Sequence, residues 1–221
     1  MEYYCGIEII EQLTLDCCKV MVASVKPLNT SEMIEAVLAR LSPSRRDKTM
    51  RYRHLKGKAL SAGAGLLLDY MLHDYGLRER DMRYEVGEHG KPSLKEHPEL
   101  HFNLSHSDTL VACALGQCPV GVDVQHIVTL RDSLVQYTMS REEIDALNAM
   151  ASDEDKKLFF TQLWTLKESY AKATGRGLTH EFPAFAIGSD NEVKALSRLT
   201  PPATFRLINL QDAVAAVAMK Y

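Results

Sequence analysis

The chain of 221 residues carries 26 lysines and arginines against 29 aspartates and glutamates, a formal net charge of −3. Hydrophobic residues make up 46% and charged residues 25%, which excludes a disordered, collagen-like or all-charged coiled-coil chain. A slightly acidic chain does not bind nucleic acid through bulk charge, so no nucleic-acid partner is expected. The length allows one large domain or two small ones.

Targeting and cysteine patterns indicate the compartment. The first residues lack the basic and apolar segments of a secretory signal. No apolar run reaches the roughly 18 to 20 residues that a membrane span needs, so no membrane partner is expected. The 5 cysteines include no C-x-x-C pair, which speaks against a zinc site or a disulfide framework. We therefore expect reduced thiols and a cytoplasmic location.

In the first part of the chain, apolar periodicity predicts one strand and two helices. A buried strand is expected over residues 20–25, and a helix over 31–40, where apolar residues recur at helical spacing. A long helix is predicted from near Pro43, since proline suits the first turn, to about Tyr75. Gly76 would be its C-terminal cap. The first half of this helix is strongly basic and its second half is apolar.

The remainder of the chain mixes short strands with helices. Ser140 and Glu143 form a capping-box pattern that begins a short helix. A longer helix is predicted from about Ser152 to Thr174, ended by Gly175. Short strands are expected at 100–104, 110–115, 120–124, 184–187, 204–210 and 214–219. Because strands and helices do not alternate strictly, an α+β fold is favoured over a doubly wound parallel sheet.

The segment 120–125, VGVDVQ, carries the first candidate site. Side chains alternate between the faces of a strand, so Val122 and Val124 share the expected core face. Asp123 and Gln125 then project together from the other face, where their oxygens could bind a hard cation. A half-buried strand with a polar outer face explains the same pattern without any function.

The segment 164–175, WTLKESYAKATG, carries the second. Trp164, Glu168 and Lys172 recur every four residues and line one stripe of a helix. A Glu–Lys pair at this spacing is also a common surface pair that stabilises a helix by roughly 0.2–0.5 kcal/mol. The pair alone therefore does not indicate a function.

The segment 102–107, FNLSHS, is the third. His106 stands between two serines at a strand end, where it could donate a hydrogen bond to an anion. No G-x-S-x-G elbow is present, so the Ser-His pair does not indicate a hydrolase.

In this order, FNLSHS, GVDVQ and WTLKESYAKATGRGL resemble the motifs of the 4′-phosphopantetheinyl transferase superfamily, and LSPSRRDK at 41–48 and GKP at 90–92 fit it as well. The resemblance runs from about Leu41 to Leu178. It implies a Mg²⁺-dependent transferase that moves the phosphopantetheine arm of coenzyme A to a serine of an apo acyl or peptidyl carrier protein. The other product would be adenosine 3′,5′-bisphosphate. Such enzymes activate carriers of fatty-acid, polyketide and nonribosomal-peptide biosynthesis.

The resemblance also implies roles for individual side chains. Asp123, Gln125 and Glu168 would be the metal ligands, with Gln125 standing where the family commonly has a carboxylate. Weaker metal binding or an altered Mg²⁺/Mn²⁺ preference is therefore expected. Glu168 would accept the proton of the carrier serine, and Lys172 would neutralise or protonate the departing phosphate. Coenzyme A would be bound near its phosphates by Arg45, Lys48, Ser105, His106 and Lys167, and beside its adenine by Lys91 and Pro92.

Two other functions remain open. A non-catalytic coenzyme A binding protein of the same fold is suggested by Gln125, but it gives no reason for the presence of Asp123, Glu168 and Lys172 together. A metal-dependent phosphohydrolase would use the same acidic site and would need no carrier.

The length matches the long class of the superfamily, whose members carry two pseudo-symmetric α+β halves in one chain. Each half is a small antiparallel sheet packed with a long helix. The resemblance implies a monomer with residues 1–107 on the coenzyme A nucleotide side and 108–221 on the Mg²⁺ and catalytic side. It also implies a site in the cleft between the halves, near residue 107.

Overall fold

The computed structural model describes residues 2–87, 90–175, 183–188, 191–196, 198–199 and 201–221. The chain separates into two compact units, Met1–Cys118 and Pro119–Tyr221. None of the described helices combines the length and apolar character needed to cross a bilayer.

The first unit contains a five-stranded antiparallel sheet and a long helix. The sheet has the order β1-β2-β3-β7-β6, and β4 and β5 form a separate antiparallel pair. The strands are β1 (Glu2–Tyr4), β2 (Ile7–Thr14), β3 (Cys18–Ser24), β4 (Tyr84–Val86), β5 (Pro92–Leu94), β6 (His101–Ser107) and β7 (Leu110–Gly116). The helices are α1 (Ser31–Leu38), α2 (Pro43–Met50) and α3 (Leu55–Leu72), with 3₁₀ turns at His73–Tyr75 and Glu79–Asp81.

The boundary between the units lies after Cys118, whereas the predicted boundary was after residue 107. Strand β7 pairs with β3 on one side and with β6 on the other. A division after residue 107 would cut the β6–β7 hairpin, in which Ser107 pairs with Leu110. The hydrogen bonds of β7 therefore assign it to the first unit.

The predicted continuous helix from Pro43 to Tyr75 is wrong. Residues 51–54 interrupt it between α2 and α3. The break allows α2 to pack against α3, where Thr49 Oγ1 lies 2.8 Å from Ser61 Oγ. The expected glycine stop is confirmed, since Gly76 adopts the left-handed conformation with φ of 69°.

The second unit contains a three-stranded antiparallel sheet, β11-β12-β8, and the longest helix of the chain as described, α6. The strands are β8 (Val120–His126), β9 (Phe185–Ile187), β10 (Val193–Ala195), β11 (Ala203–Asn209) and β12 (Ala213–Lys220), and β9 pairs with β10. The helices are α4 (Asp132–Thr138), α5 (Arg141–Asn148) and α6 (Asp153–Thr174). Each unit thus combines an antiparallel sheet with one long helix, the predicted α+β class.

The predicted helix signals of the second unit are confirmed. Ser140 and Glu143 form a complete capping box at the start of α5. The Ser152 hydroxyl accepts a hydrogen bond from the Asp155 N–H, so Ser152 caps α6. Gly175 ends that helix in the left-handed conformation, with φ of 69°.

The expectation that all cysteines are reduced thiols is wrong for one pair. Cys17 and Cys118 form a disulfide, with their Cα atoms 5.8 Å apart. The pairing of β3 with β7 places Cys18 opposite Gly116, so the residues that flank these two positions meet at the sheet end. Cys5, Cys18 and Cys113 are free.

Candidate active site

Strand β8 and helix α6 approach each other unusually closely at Gly121. A Cβ atom at this position would lie 2.1 Å from the Ser169 carbonyl oxygen and 2.2 Å from the Ala173 nitrogen. Such distances are below van der Waals contact, so only glycine permits this packing. The glycine therefore sets the separation between the strand that carries Asp123 and the helix that carries Glu168.

The face of β8 that carries Asp123 is turned toward α6. Gly121 and Asp123 share this face by strand alternation, and their partners on β12 are Ala218 and Ala216. Asp123 is only 6% exposed. The interpretation of β8 as a half-buried strand with a polar outer face is therefore wrong, because the Asp123 face is covered by the helix.

Asp123 forms an ion pair with Lys172. The Lys172 Nζ donates to Asp123 Oδ1 at 2.6 Å. The Asp123 side chain is almost fully buried, whereas the Lys172 side chain is 28% exposed. A cation therefore lies at the edge of the site, within reach of a molecule in solution.

Glu168 lies within the electrostatic range of this pair. Burial raises its pKa, the negative charge of Asp123 raises it further, and the positive charge of Lys172 opposes both effects. Since Glu168 and Lys172 are four residues apart on α6, they share one face of the helix. The structure thus brings together the three side chains that the resemblance assigns to metal binding and catalysis, Asp123, Glu168 and Lys172.

Whether this site suits Mg²⁺ depends on its donor set. Among the described residues, no three His, Cys, Asp or Glu side chains cluster in a way that could hold a metal ion. The site instead offers two carboxylates, Asp123 and Glu168, and the partly exposed amide of Gln125 two residues along the strand. Mg²⁺ is commonly held by one or two carboxylates together with substrate phosphate and water. The donors therefore fit a Mg²⁺ ion shared with a phosphate, and such an ion would relieve the repulsion between the carboxylates.

The structure contradicts the expectation that Lys167 reaches toward a phosphate. Lys167 is 1% exposed, and its Nζ donates to Glu143 Oε2 at 2.6 Å and to the Thr138 carbonyl at 2.5 Å. Burial lowers its pKa, and the hydrogen bond with Glu143 and its charge oppose this shift. The Lys167 side chain therefore faces the interior of its own unit.

In the first unit, the structure places two of the predicted phosphate ligands next to each other on α2. Arg45 is 8% exposed, and its Nε has no hydrogen-bond partner among the described residues. Lys48 is exposed as a whole residue, yet partial desolvation lowers the pKa of its ammonium, and the positive charge of Arg45 lowers it further. Two neighbouring cations of this kind would be stabilised by an anion.

Glu79 is the residue of this region that sequence reasoning missed. It is fully buried and lies 3.8 Å from Arg45 Nε. Its carboxylate accepts hydrogen bonds from the Ser42 N–H and hydroxyl, at 2.6 and 2.9 Å, and from the Tyr84 hydroxyl at 2.6 Å. A lone Glu in a short polar stretch carries no pattern that would single it out.

The other predicted coenzyme A ligands also lie in the first unit. Ser105 and His106 are neighbours on β6, where Ser105 is buried and His106 is exposed. Lys91 is partly exposed, and Pro92 begins β5.

Comparison with known proteins tests the identity of the chain. The family model of the 4′-phosphopantetheinyl transferase superfamily matches residues 119–218, which include Asp123, Glu168 and Lys172. The chain is 31% identical to the 4′-phosphopantetheinyl transferase Sfp of Bacillus subtilis, over 73% of this chain and 72% of that protein. It is 28% identical to the 4′-phosphopantetheinyl transferase psf-1 of Bacillus pumilus, over 82% of this chain and 79% of that protein.

One solved structure overlaps with a smaller part of the chain. A holo-(acyl-carrier-protein) synthase of Bacillus anthracis in complex with CoA (3′,5′-ADP) covers 47% of this chain with 14% identity and a TM-score of 0.41. These two Bacillus relatives match 163 and 185 residues of the chain, more than either unit contains, so the similarity includes parts of both units. The chain therefore belongs to the 4′-phosphopantetheinyl transferase superfamily and is a transferase of its long, Sfp-like class.

Proposed function

We propose that this chain transfers the 4′-phosphopantetheine arm of coenzyme A to a serine of an apo acyl or peptidyl carrier protein, with Mg²⁺. Adenosine 3′,5′-bisphosphate would be the other product. The observation that carries the proposal is the Lys172–Asp123 ion pair beside Glu168, whose pKa is raised. A base, a cation and a carboxylate are the groups that this phosphoryl transfer needs at one place.

In the proposed reaction, the carrier serine Oγ forms a bond to the phosphorus atom nearer the pantetheine. The bond between that phosphorus and the bridging oxygen breaks, and the bisphosphate leaves with the electron pair. The serine proton passes to Glu168. Catalysis of such a transfer consists mainly of positioning and of stabilising negative charge.

Glu168 suits the role of base because its pKa is raised by burial and by Asp123. A carboxylate with a raised pKa binds a proton more strongly, and general bases are most effective when their pKa approaches the working pH. The partial exposure of Glu168 leaves room for a serine hydroxyl to approach.

Lys172 suits the role of charge neutraliser. Its ammonium is held 2.6 Å from Asp123 Oδ1 and remains partly exposed. It is therefore fixed in place before substrate arrives, and it can still contact a phosphate oxygen. Asp123, Glu168 and Gln125 would hold Mg²⁺, which when bound supplies further positive charge for the pyrophosphate.

We also propose that the unit Met1–Cys118 binds the nucleotide part of coenzyme A and that the unit Pro119–Tyr221 carries the chemistry. The buried Arg45, whose Nε makes no hydrogen bond among the described residues and lies 3.8 Å from Glu79, and its cationic neighbour Lys48 support an anion beside α2. The remaining proposed ligands are Lys91, Pro92, Ser105 and His106. Lys167 is left out, because Glu143 and Thr138 bind its ammonium.

One experiment tests the proposal against the two other functions. The protein is incubated with coenzyme A, Mg²⁺ and an apo carrier protein, and the masses of carrier and coenzyme A are measured. A phosphopantetheine adduct on the carrier serine is expected, and Glu168→Gln should slow its formation about 100-fold or more. Intact coenzyme A with unmodified carriers of each type would point to a binding protein. Cleaved coenzyme A with unmodified carrier would point to a phosphohydrolase.

A further inference from the structure

Glu143 and Lys167 form a fully buried ion pair in the second unit. The side chains are 0% and 1% exposed, and Lys167 Nζ donates to Glu143 Oε2 at 2.6 Å. The resemblance to the family implies that Lys167 lies near a phosphate, and the capping box accounts for Glu143 by local helix geometry alone. Neither explanation accounts for a charged pair shielded from solvent.

The pair connects three segments of the unit. The Glu143 carboxylate accepts the Ser140 N–H at the start of α5 at 2.7 Å, and the Phe185 N–H of β9 at 2.9 Å. Lys167 on α6 donates in addition to the carbonyl of Thr138, the last residue of α4. Helix α6 is therefore tied to the α4–α5 turn and to β9 at one point, directly before Glu168.

Stability alone does not explain the pair. Two charges removed from water must recover their hydration through each other and through further hydrogen bonds, and an apolar pair of similar size is often as stable or more stable. Charged groups at such positions have been found to specify one arrangement over others in several proteins. The Glu143–Lys167 pair has the geometry for that task, since each partner has at least two hydrogen bonds of fixed direction.

The arrangement it specifies is the rotation of α6. Successive helical residues are about 100° apart around the axis, so an anchored Lys167 also fixes the direction in which Glu168 leaves the helix. On the other side of Glu168, Ser169 is held against Gly121 of β8. Glu168 thus lies between two anchors on adjacent residues, one to the α4–α5 turn and one to β8.

We propose that Glu143 and Lys167 are positioning residues that hold Glu168 in its productive direction toward Asp123. This inference rests on the proposed transferase function, which gives Glu168 its task. Lys167 acts from inside the unit and does not contact substrate.

The test uses the full-length protein and three variants. Lys167→Met leaves Glu143 buried without its cation, so its melting temperature should fall. The double variant Lys167→Met with Glu143→Gln removes both charges, and its amide oxygen can still accept one of the two backbone N–H groups that Glu143 binds, so part of the loss should be recovered. The matched control is Gln162→Met, which removes another buried polar group of α6, bonded to Asn209 at 3.1 Å.

Two measurements report on the site. The first is the kcat of transfer together with the Kd of coenzyme A. The second is the affinity for Mn²⁺ in the presence of coenzyme A, measured by electron paramagnetic resonance. In the double variant we expect kcat and Mn²⁺ affinity each to fall roughly tenfold to a hundredfold, with the coenzyme A Kd nearly unchanged. Gln162→Met should change neither kcat nor the Mn²⁺ affinity.

A double variant with a recovered melting temperature and a normal kcat and Mn²⁺ affinity would overturn the inference. So would losses in Gln162→Met as large as those in the double variant, because the effect would then follow stability alone. A wild-type protein that binds Mn²⁺ but transfers nothing would instead remove the proposed function. In that case the Mn²⁺ affinities of the variants decide whether the pair positions Glu168.

Discussion

Lys172 Nζ lies 2.6 Å from Asp123 Oδ1, although 49 positions separate the two residues in the chain. The contact depends on Gly121, which lets the backbones of β8 and α6 approach closely. A long, flexible lysine side chain is thereby held beside Glu168 before any substrate binds. The conformational entropy of the Lys172 side chain is therefore lost when the protein folds and not when the substrate reacts.

Replacement of Lys172 by alanine should lower turnover more than coenzyme A affinity. The ammonium is expected to act on the departing phosphate, where charge develops only in the transition state. We expect a loss in kcat of roughly a hundredfold or more and a much smaller change in the Kd of coenzyme A. Lys156→Ala, near the start of the same helix, is the control. Equal losses in affinity and turnover would show that Lys172 serves binding only.

Replacement of Gly121 by alanine should disrupt the site and the second unit together. The added methyl group would lie 2.1 Å from the Ser169 carbonyl oxygen, so α6 must move away from β8. The free energy of unfolding should fall by about 3 kcal/mol. The protein that remains folded should transfer phosphopantetheine more slowly than wild type. Thermal and denaturant unfolding measure the first effect. Gly87→Ala is the control, since its nearest atom would be at an ordinary 3.5 Å.

Replacement of Gln125 by glutamate should change the metal dependence. A third carboxylate oxygen donor near Asp123 adds negative charge to a site that now has two carboxylates and one amide. We expect half-maximal activity at a lower Mg²⁺ concentration and a changed Mg²⁺/Mn²⁺ ratio. Gln12→Glu on β2 makes the same change of charge in the other unit. Identical metal titrations of Gln125→Glu and wild type would remove the role assigned to Gln125.

Glu168 in the metal-free protein should titrate above the usual pH range of a glutamate. Burial and the charge of Asp123 raise its pKa, and Lys172 opposes the shift. Asp123→Asn should therefore lower the pKa of Glu168, and Lys172→Met should raise it. Carbon NMR of labelled glutamate follows the carboxyl directly. Shifts in the same direction in both variants would contradict the proposed arrangement.

Local rules selected the central residues but did not assign them a function. Strand alternation placed Asp123 and Gln125 on one face, and helical spacing joined Glu168 to Lys172, whereas their roles came from the resemblance to the family. The contact between the two elements could be expected only from the resemblance to the family. Gly121 gave no separate signal, since its role appears only when α6 is in place.

Long-range contacts account for what sequence reasoning missed. Nothing near Lys167 indicates a partner 24 positions earlier, and a lysine beside a proposed catalytic glutamate is easily assigned to the substrate side. The break at 51–54 allows α2 to pack against α3, and helix propensity does not predict such a tertiary contact. Likewise, the cysteine pair depends on the pairing of β3 with β7.

Asp69 should support the stability of the first unit in mild acid. Burial alone would raise its pKa, but hydrogen bonds from Arg78, Tyr4 and the Glu79 N–H hold that pKa below its usual value. A lowered folded-state pKa contributes stability that is present above about pH 4, the unfolded value, and is lost as the pH falls through the folded-state pKa.

Replacement of Asp69 by asparagine should therefore cost about 2 kcal/mol at neutral pH and flatten the acid limb of the stability curve. Melting temperatures between pH 2 and 7 (roughly the range over which carboxyls titrate) measure both effects. Asp74→Asn is the control, because Asp74 is exposed and pairs with Lys19 at the surface. If the stability of Asp69→Asn fell with acid as steeply as that of wild type, other carboxyls would be responsible for the acid sensitivity.

The Cys17–Cys118 disulfide joins two residues 101 positions apart and so encloses residues 17–118, most of the first unit, in a covalent ring. When the protein unfolds, residues 17–118 remain a closed loop, whereas residues 1–16 and 119–221 become open tails. In the chain-entropy description, a ring of this size is worth about 4–5 kcal/mol to the folded state. A reducing environment would therefore remove this contribution from the half that is proposed to hold the nucleotide, whereas the half that carries Asp123, Glu168 and Lys172 contains no part of the ring.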